Sequence, residues 1–144
     1  MEKYISNSYE ETVAFAESFA KGLNQGAIIA FVGGLGMGKT AFVFGLAKGL
    51  EIDCDVSSPT FAIVNEYIGK KNRLYHFDMY RVDNWDDLYS TGYFDYVDTD
   101  AFIAIEWSEN IFSALPDNAI IIEIEKLSEN QREFSICKKD EYEC

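Results

Sequence analysis

Histidine occurs once in this chain, as His76, and proline only twice in 144 residues. The three cysteines, Cys54, Cys137 and Cys144, include no C-x-x-C pair. Their odd number suits free thiols in a reducing compartment. A zinc site would need those cysteines to converge on His76. A Ser-His-Asp triad would need the same histidine and a G-x-S-x-G elbow that is absent. Both chemistries are set aside. Apolar runs such as Ala27 to Val32 and Ala119 to Ile122 fall far short of the ~20 residues that span a bilayer. The opening Met1-Glu2-Lys3-Tyr4 lacks the basic region and long apolar stretch of a signal peptide. The expectation is a soluble, cytoplasmic protein with no membrane association. Cations are scarce too: 12 Lys and Arg stand against 25 Asp and Glu, a net charge of −13. Such a surface repels phosphodiester backbones, so an RNA would be served only indirectly, through a partner protein.

What is present suits one core. Apolar residues make up 48% and aromatics 15%, which excludes a disordered or collagenous chain. No proline-rich, glycine/serine-rich or repeated stretch divides the sequence, so residues 1–144 read as a single domain. Ser8 and Glu11 have capping-box spacing. Val13, Ala16, Phe19, Ala20 and Leu23 follow at helical spacing, predicting a helix that ends near Gly26. Ala27 to Val32 reads as a strand covered on both faces. A second helix begins at Lys39, and Gly49 can end it. Phe61 to Ile68 and Arg73 to Tyr80 predict a hairpin around Gly69-Lys70-Lys71-Asn72. Asp83 to Ser90 predicts a short helix capped by Asp83 or Asn84. Ala101 to Ile105 predicts a second buried strand ending on Glu106. Ser108 to Leu115 reads as helical, stopped by Pro116. Ala119 to Glu125 and Phe134 to Lys138 predict two closing strands, and the charged tail is expected to fray. The fold class is therefore α/β: a mixed sheet with parallel core strands plus an antiparallel hairpin, flanked by helices.

Gly33-Gly34-Leu35-Gly36-Met37-Gly38-Lys39-Thr40 matches G-x-x-x-x-G-K-[ST] in full. A buried strand precedes it and a helix follows, the context that makes it a P-loop. Glycines let successive N–H groups close around phosphate oxygens without Cβ clashes. The helix N-terminus adds partial positive charge. Lys39 supplies the cation for β- and γ-phosphates, and the Thr40 hydroxyl can ligate Mg²⁺. Residues 33–41, from Gly33 through Thr40 to Ala41, are thus candidate nucleotide contacts.

Magnesium also needs carboxylate, commonly at the end of a neighbouring strand. Asp78 and Glu106 occupy two such ends. One can hold metal while the other orients the attacking water, and sequence leaves the assignment open. Thr60, in Ser57-Ser58-Pro59-Thr60, can ligate Mg²⁺ while a γ-phosphate is present, as a switch, or simply belong to a polar turn. Arg81 can neutralise phosphate or pair with Asp83. Trp107, beside Glu106, is packing or function. No N-K-x-D guanine signature occurs, which favours adenine, and only three arginines exist. That shortage disfavours a small-molecule P-loop kinase relative to hydrolysis. A nucleotide-controlled binding module, with hydrolysis incidental, is the other alternative.

GGLGMGKT, SSPTF, YHFDMYR and IEWSE stand in that order within one small chain that opens with SYEETVAFAESFAKGL. In these blocks the whole chain resembles the TsaE (YjeE) family, P-loop ATPases of bacterial tRNA threonylcarbamoyladenosine synthesis. The resemblance implies a P-loop NTPase-like fold that binds ATP or ADP with Mg²⁺. It implies a weak ATPase stimulated by the TsaB–TsaD pair, which itself transfers threonylcarbamoyl to tRNA. It further implies that Lys39 and Thr40 serve phosphate and metal, that Thr60 is switch-like, and that Asp78 acts on water. By the same likeness Glu106 is metal-linked, Trp107 is a motif residue, and Thr12 lies near adenine. Gly34 stands where the family has an acid and Met37 where it has a small residue, changes that spare the phosphate-binding N–H groups. Ser108 replaces a common proline, a change expected to loosen the turn after Glu106.

Overall fold

A computed structural model describes residues 2–32, 38–53, 64–97 and 99–142. Its centre is strand β2, Ile28–Val32, whose unbroken apolar sequence is explained by neighbours on both sides and cover on both faces. Parallel to it run β5, Phe102–Glu106, on one side and β6, Ile120–Lys126, on the other. Beyond β5 lies β4, Arg73–Asp78, also parallel, and then β3, Val64–Ile68, antiparallel. Beyond β6 come β7, Arg132–Lys138, antiparallel to β6, and β1, Glu2–Ser6, antiparallel to β7. The order of the seven strands is β1-β7-β6-β2-β5-β4-β3. This is the expected mixed sheet, with parallel strands at the centre and antiparallel ones outside.

Helices α1, Tyr9–Lys21, and α2, Lys39–Gly49, cover one face. There Ile29 and Phe31 of β2 meet Ala16, Ala20, Phe42, Val43 and Leu46. Alternate residues Ile28 and Ala30 face the other way, toward Leu88 of α3, Trp85–Ser90, and Tyr93 of α4, Tyr93–Val97. Ile111, from a 3-10 segment at Ser108–Ala114, packs there too. The alternation follows from the two-residue period of a strand.

Two glycines set the distance between α1 and α2. A Cβ on Gly45 would lie 2.4 Å from the Val13 carbonyl oxygen, and one on Gly49 2.4 Å from that of Glu17. Only a residue without Cβ permits such an approach. The close contact holds α1 alongside α2, so Ser8 and Thr12 on α1 share a cleft with Lys39 and Thr40 on α2.

Several local expectations are met and several change. Ser8 caps α1, its Oγ accepting from the Glu11 N–H at 3.1 Å. The Glu11 carboxylate accepts from Asn7 rather than from Ser8, also at 3.1 Å. The helix stops at Lys21, with Gly22 as its cap, and Gly26 turns at φ +80° into β2. Asn84, not Asp83, caps α3. The hairpin loop is residues 69–72, closed by Gly69 N–H to the Asn72 carbonyl at 2.9 Å, while β4 ends at Asp78 rather than Tyr80. Phe61, where the sequence reading begins this hairpin, lies outside the described residues. The tail docks as far as Tyr142 instead of fraying. Lys139 Nζ donates to the Leu115 carbonyl at 2.6 Å, and the Tyr142 hydroxyl to Glu123 at 3.0 Å. Cys137 is a buried free thiol.

Candidate functional site

The C-terminal ends of the parallel strands open on a cleft of about 450 Å³. Its floor is the start of α2: Gly38, Lys39, Thr40 and Ala41. Ser8, Tyr9 and Thr12 form one wall, and Glu129 and Asn130 from the β6–β7 turn, with Arg132 at the start of β7, form another. Glu106 reaches in from the end of β5. Gly38 caps α2 in the left-handed region, at φ +94°, and no side chain caps the helix. The first N–H groups of α2 thus face an anion-attracting end of the helix.

Lys39 is only 3% exposed, far less than a lysine normally tolerates. Its ammonium sits 5.0 Å from the centre of the Trp107 ring. Burial lowers its pKa, while the negative charges of Glu106, Glu109 and Asp78 push in the opposite direction. The other face of this arrangement is aromatic, with the Tyr80 ring 4.9 Å from Trp107. Trp107 itself lies at φ 59°, a left-handed conformation that costs free energy in a residue bearing a Cβ. The next residue secures it. Ser108, fully buried, donates from Oγ to the Phe31 carbonyl at 2.8 Å and so ties the turn after Glu106 to the central strand. The turn is fastened by Ser108, not loosened as expected from its difference from proline.

Asp78 and Glu106 are direct neighbours, paired in register across β4 and β5. Glu106 is 6% exposed and lines the cleft. Asp78 is half-buried at its side, and its Oδ1 accepts from the Tyr80 N–H at 2.9 Å. Behind Glu106 stands His76, fully buried, with Nε2 2.6 Å from Glu106 Oε2. That contact is close but not directed as a hydrogen bond, so Oε2 is a buried oxygen without an aligned donor among the described residues.

Of the sequence-predicted residues, Thr12, Gly38, Lys39, Thr40, Ala41 and Glu106 line one cleft, while Asp78 and Trp107 adjoin it. Thr12 Oγ1 is 2.7 Å from Ser6 Oγ within a buried pair. Gly33, Gly34, Leu35, Gly36, Met37 and Thr60 lie outside the described residues. Sequence reasoning missed Arg132, whose Nη1 donates to the Ser128, Glu129 and Gln131 carbonyls and shapes the far wall. Nothing local marks it, since it reaches the cleft only through β7 pairing. His76 carried a usable signal: two residues before Asp78 on a strand, the pair must share a face.

No three His, Cys, Asp or Glu side chains converge as a metal cage among the described residues. A magnesium ion shared with phosphates asks for only one or two protein oxygens. Glu106, whose carboxylate lines the cleft, and Thr40 fit that smaller demand.

A parallel-centred sheet, a glycine-rich stretch after β2 and a lysine-threonine helix start define an α/β protein of P-loop NTPase-like fold. A family model described as TsaE, threonylcarbamoyl adenosine biosynthesis protein TsaE, matches residues 6–134. The chain belongs to the TsaE family. It is 38% identical over 141 residues to the tRNA threonylcarbamoyladenosine biosynthesis protein TsaE of Aquifex aeolicus, covering 96% of this chain and 98% of that one. With the protein of the same description from Treponema pallidum it shares 33% over 132 residues, 92% of this chain and 97% of the relative. The crystal structure of Bacillus subtilis YdiB superposes with a TM-score of 0.77 at 31% identity, covering 94% of this chain and 83% of that chain.

Proposed function

We propose that the chain is a cytoplasmic, magnesium-dependent ATPase, slow alone and stimulated by the TsaB–TsaD pair, that serves tRNA N6-threonylcarbamoyladenosine modification. The observation that carries this reading is the cleft at the start of α2, where a buried ammonium, a helix N-terminus with no side-chain cap and Glu106 meet. A strongly acidic protein accepts an anionic nucleotide only at such a cationic nest. Lys39 would hold the β- and γ-phosphates, and Thr12 would lie beside the base. Thr40 and Glu106 would hold Mg²⁺, which when bound polarises the phosphates and neutralises their charge, and Thr60 would join them in the triphosphate state. Asp78, one strand over, would orient the attacking water. The names of the relatives support the pathway. TsaE itself would not transfer the threonylcarbamoyl group, and tRNA would meet it only within the complex.

The test is ATP hydrolysis by the purified chain with and without cognate TsaB and TsaD. Stimulation is expected, and its absence together with no effect on repeated tRNA modification defeats the reading. One observation favours a second reading, in which nucleotide occupancy alone controls docking. Asp78 does not line the cleft, and its carboxylate is engaged by Tyr80. Under that reading Asp78→Ala keeps ATP binding and still supports multiple turnovers.

A further inference from the structure

His76 belongs to neither wall nor floor of the cleft, yet it is fully buried directly behind one of the acids that line it. On β4 it stands opposite Ala104 of β5, as Asp78 stands opposite Glu106. Leu74, Phe102 and Ala104 share its face and are apolar, buried against the α1–α2 layer. An imidazole in such a strip costs stability unless a polar partner compensates it. Glu106 Oε2, 2.6 Å from Nε2 in a close contact that is not aligned as a hydrogen bond, is the polar group within that reach, and Nδ1 has no hydrogen-bond partner among the described residues. The Tyr67 ring packs with its centre 6.4 Å away. The imidazole therefore contributes to one neighbour, the acid that lines the cleft.

We infer that His76 is a positioning residue for Glu106. Its Nε2, pressed close against Oε2 from behind, fixes the carboxylate so that the other oxygen is left toward the cleft, where it can meet a divalent cation carried in with nucleotide. Carboxylates that bind metal commonly need such a support, and its loss weakens metal binding by about 10–100-fold. His76 touches neither nucleotide nor cation, so its effect is confined to the part of nucleotide binding that depends on magnesium. The inference rests on the proposed nucleotide reading and refines it.

The experiment is titration calorimetry of ADP, with and without magnesium chloride, on the wild-type chain and on His76→Leu and His76→Gln. Leucine fills the buried space without a donor, whereas glutamine carries an amide nitrogen near the position of Nε2. Magnesium-free ADP affinity should be the same within about twofold in all three. The gain on adding magnesium should fall about 10–100-fold in His76→Leu and return in His76→Gln. A leucine variant with the wild-type gain overturns the inference, and so does a folded glutamine variant that loses as much as leucine. If leucine prevents folding, His76→Asn, which withdraws the donor from Glu106, is judged by the same two outcomes. A wild-type chain that binds ADP equally well without magnesium also overturns it. Failure of wild type to bind ADP at all sinks the nucleotide reading instead, so the two failures are distinct.

Discussion

The two faces of the sheet bury polar groups in different ways. On the α3–α4 side, Thr91 is buried but satisfied locally: its hydroxyl donates to the Leu88 carbonyl at 2.7 Å and accepts from the Tyr93 N–H at 3.1 Å. Around it Phe77, Ile103, Ile105, Ile121 and Tyr93 form an apolar layer. On the α1–α2 side, Lys39, His76 and Glu106 are all nearly buried, and two of them hold atoms without aligned partners. A fold keeps such groups only where the cost is repaid elsewhere. The first face stabilises the molecule, and the second holds the candidate site.

That contrast can be broken by substitution, beginning with the largest effect. Phe77→Ala on the α3–α4 face leaves a cavity where a fully buried ring stood. The expected loss is about 3–5 kcal/mol of stability, read by denaturant unfolding. ADP affinity of the protein that remains folded should be unchanged. Lys39→Ala should do the reverse. Nucleotide affinity falls about a hundredfold, ~2.7 kcal/mol, by calorimetry, while the melting temperature moves by only a few degrees. A large loss of melting temperature would merge the two faces into one structural role.

The smallest effect is pH-dependent. Burial pushes the Tyr93 hydroxyl up to about 12 from its ordinary 10.0. Between those values the folded state keeps a proton that the unfolded state has released, so stability falls as pH rises. The contribution is complete below pH 10 and lost through 12. Tyr93→Phe should match wild type near neutrality within about 1 kcal/mol, since the bond removed is a long one to the Ala114 carbonyl at 3.3 Å. Above pH 10 its unfolding free energy should decline less steeply than that of wild type.

Much of this architecture was legible along the chain. The buried strand before the glycine cluster, the helix opening at Lys39 and the four-residue hairpin loop all follow from local period and turn chemistry. Strand β1 was not legible, because Glu2–Ser6 is short and mostly exposed and becomes a strand only by pairing with β7. Gly49 reads as a helix end in sequence. In space it and Gly45 admit α1, which builds a wall of the cleft. Likewise Ser108 reads as a missing proline, until its hydroxyl is seen on Phe31.

By itself, then, the amino-acid order determined the phosphate-loop pattern, the two strand-end acids and the alternation of sheet faces, since each depends on neighbours within a few residues. Tertiary structure decided which distant residues share the cleft. Arg132 lines the same cleft as Lys39, and His76 backs Glu106, because strand order and register bring them together from separate parts of the chain. No local period encodes that register; it is set by which strands pair once both faces of the sheet are buried.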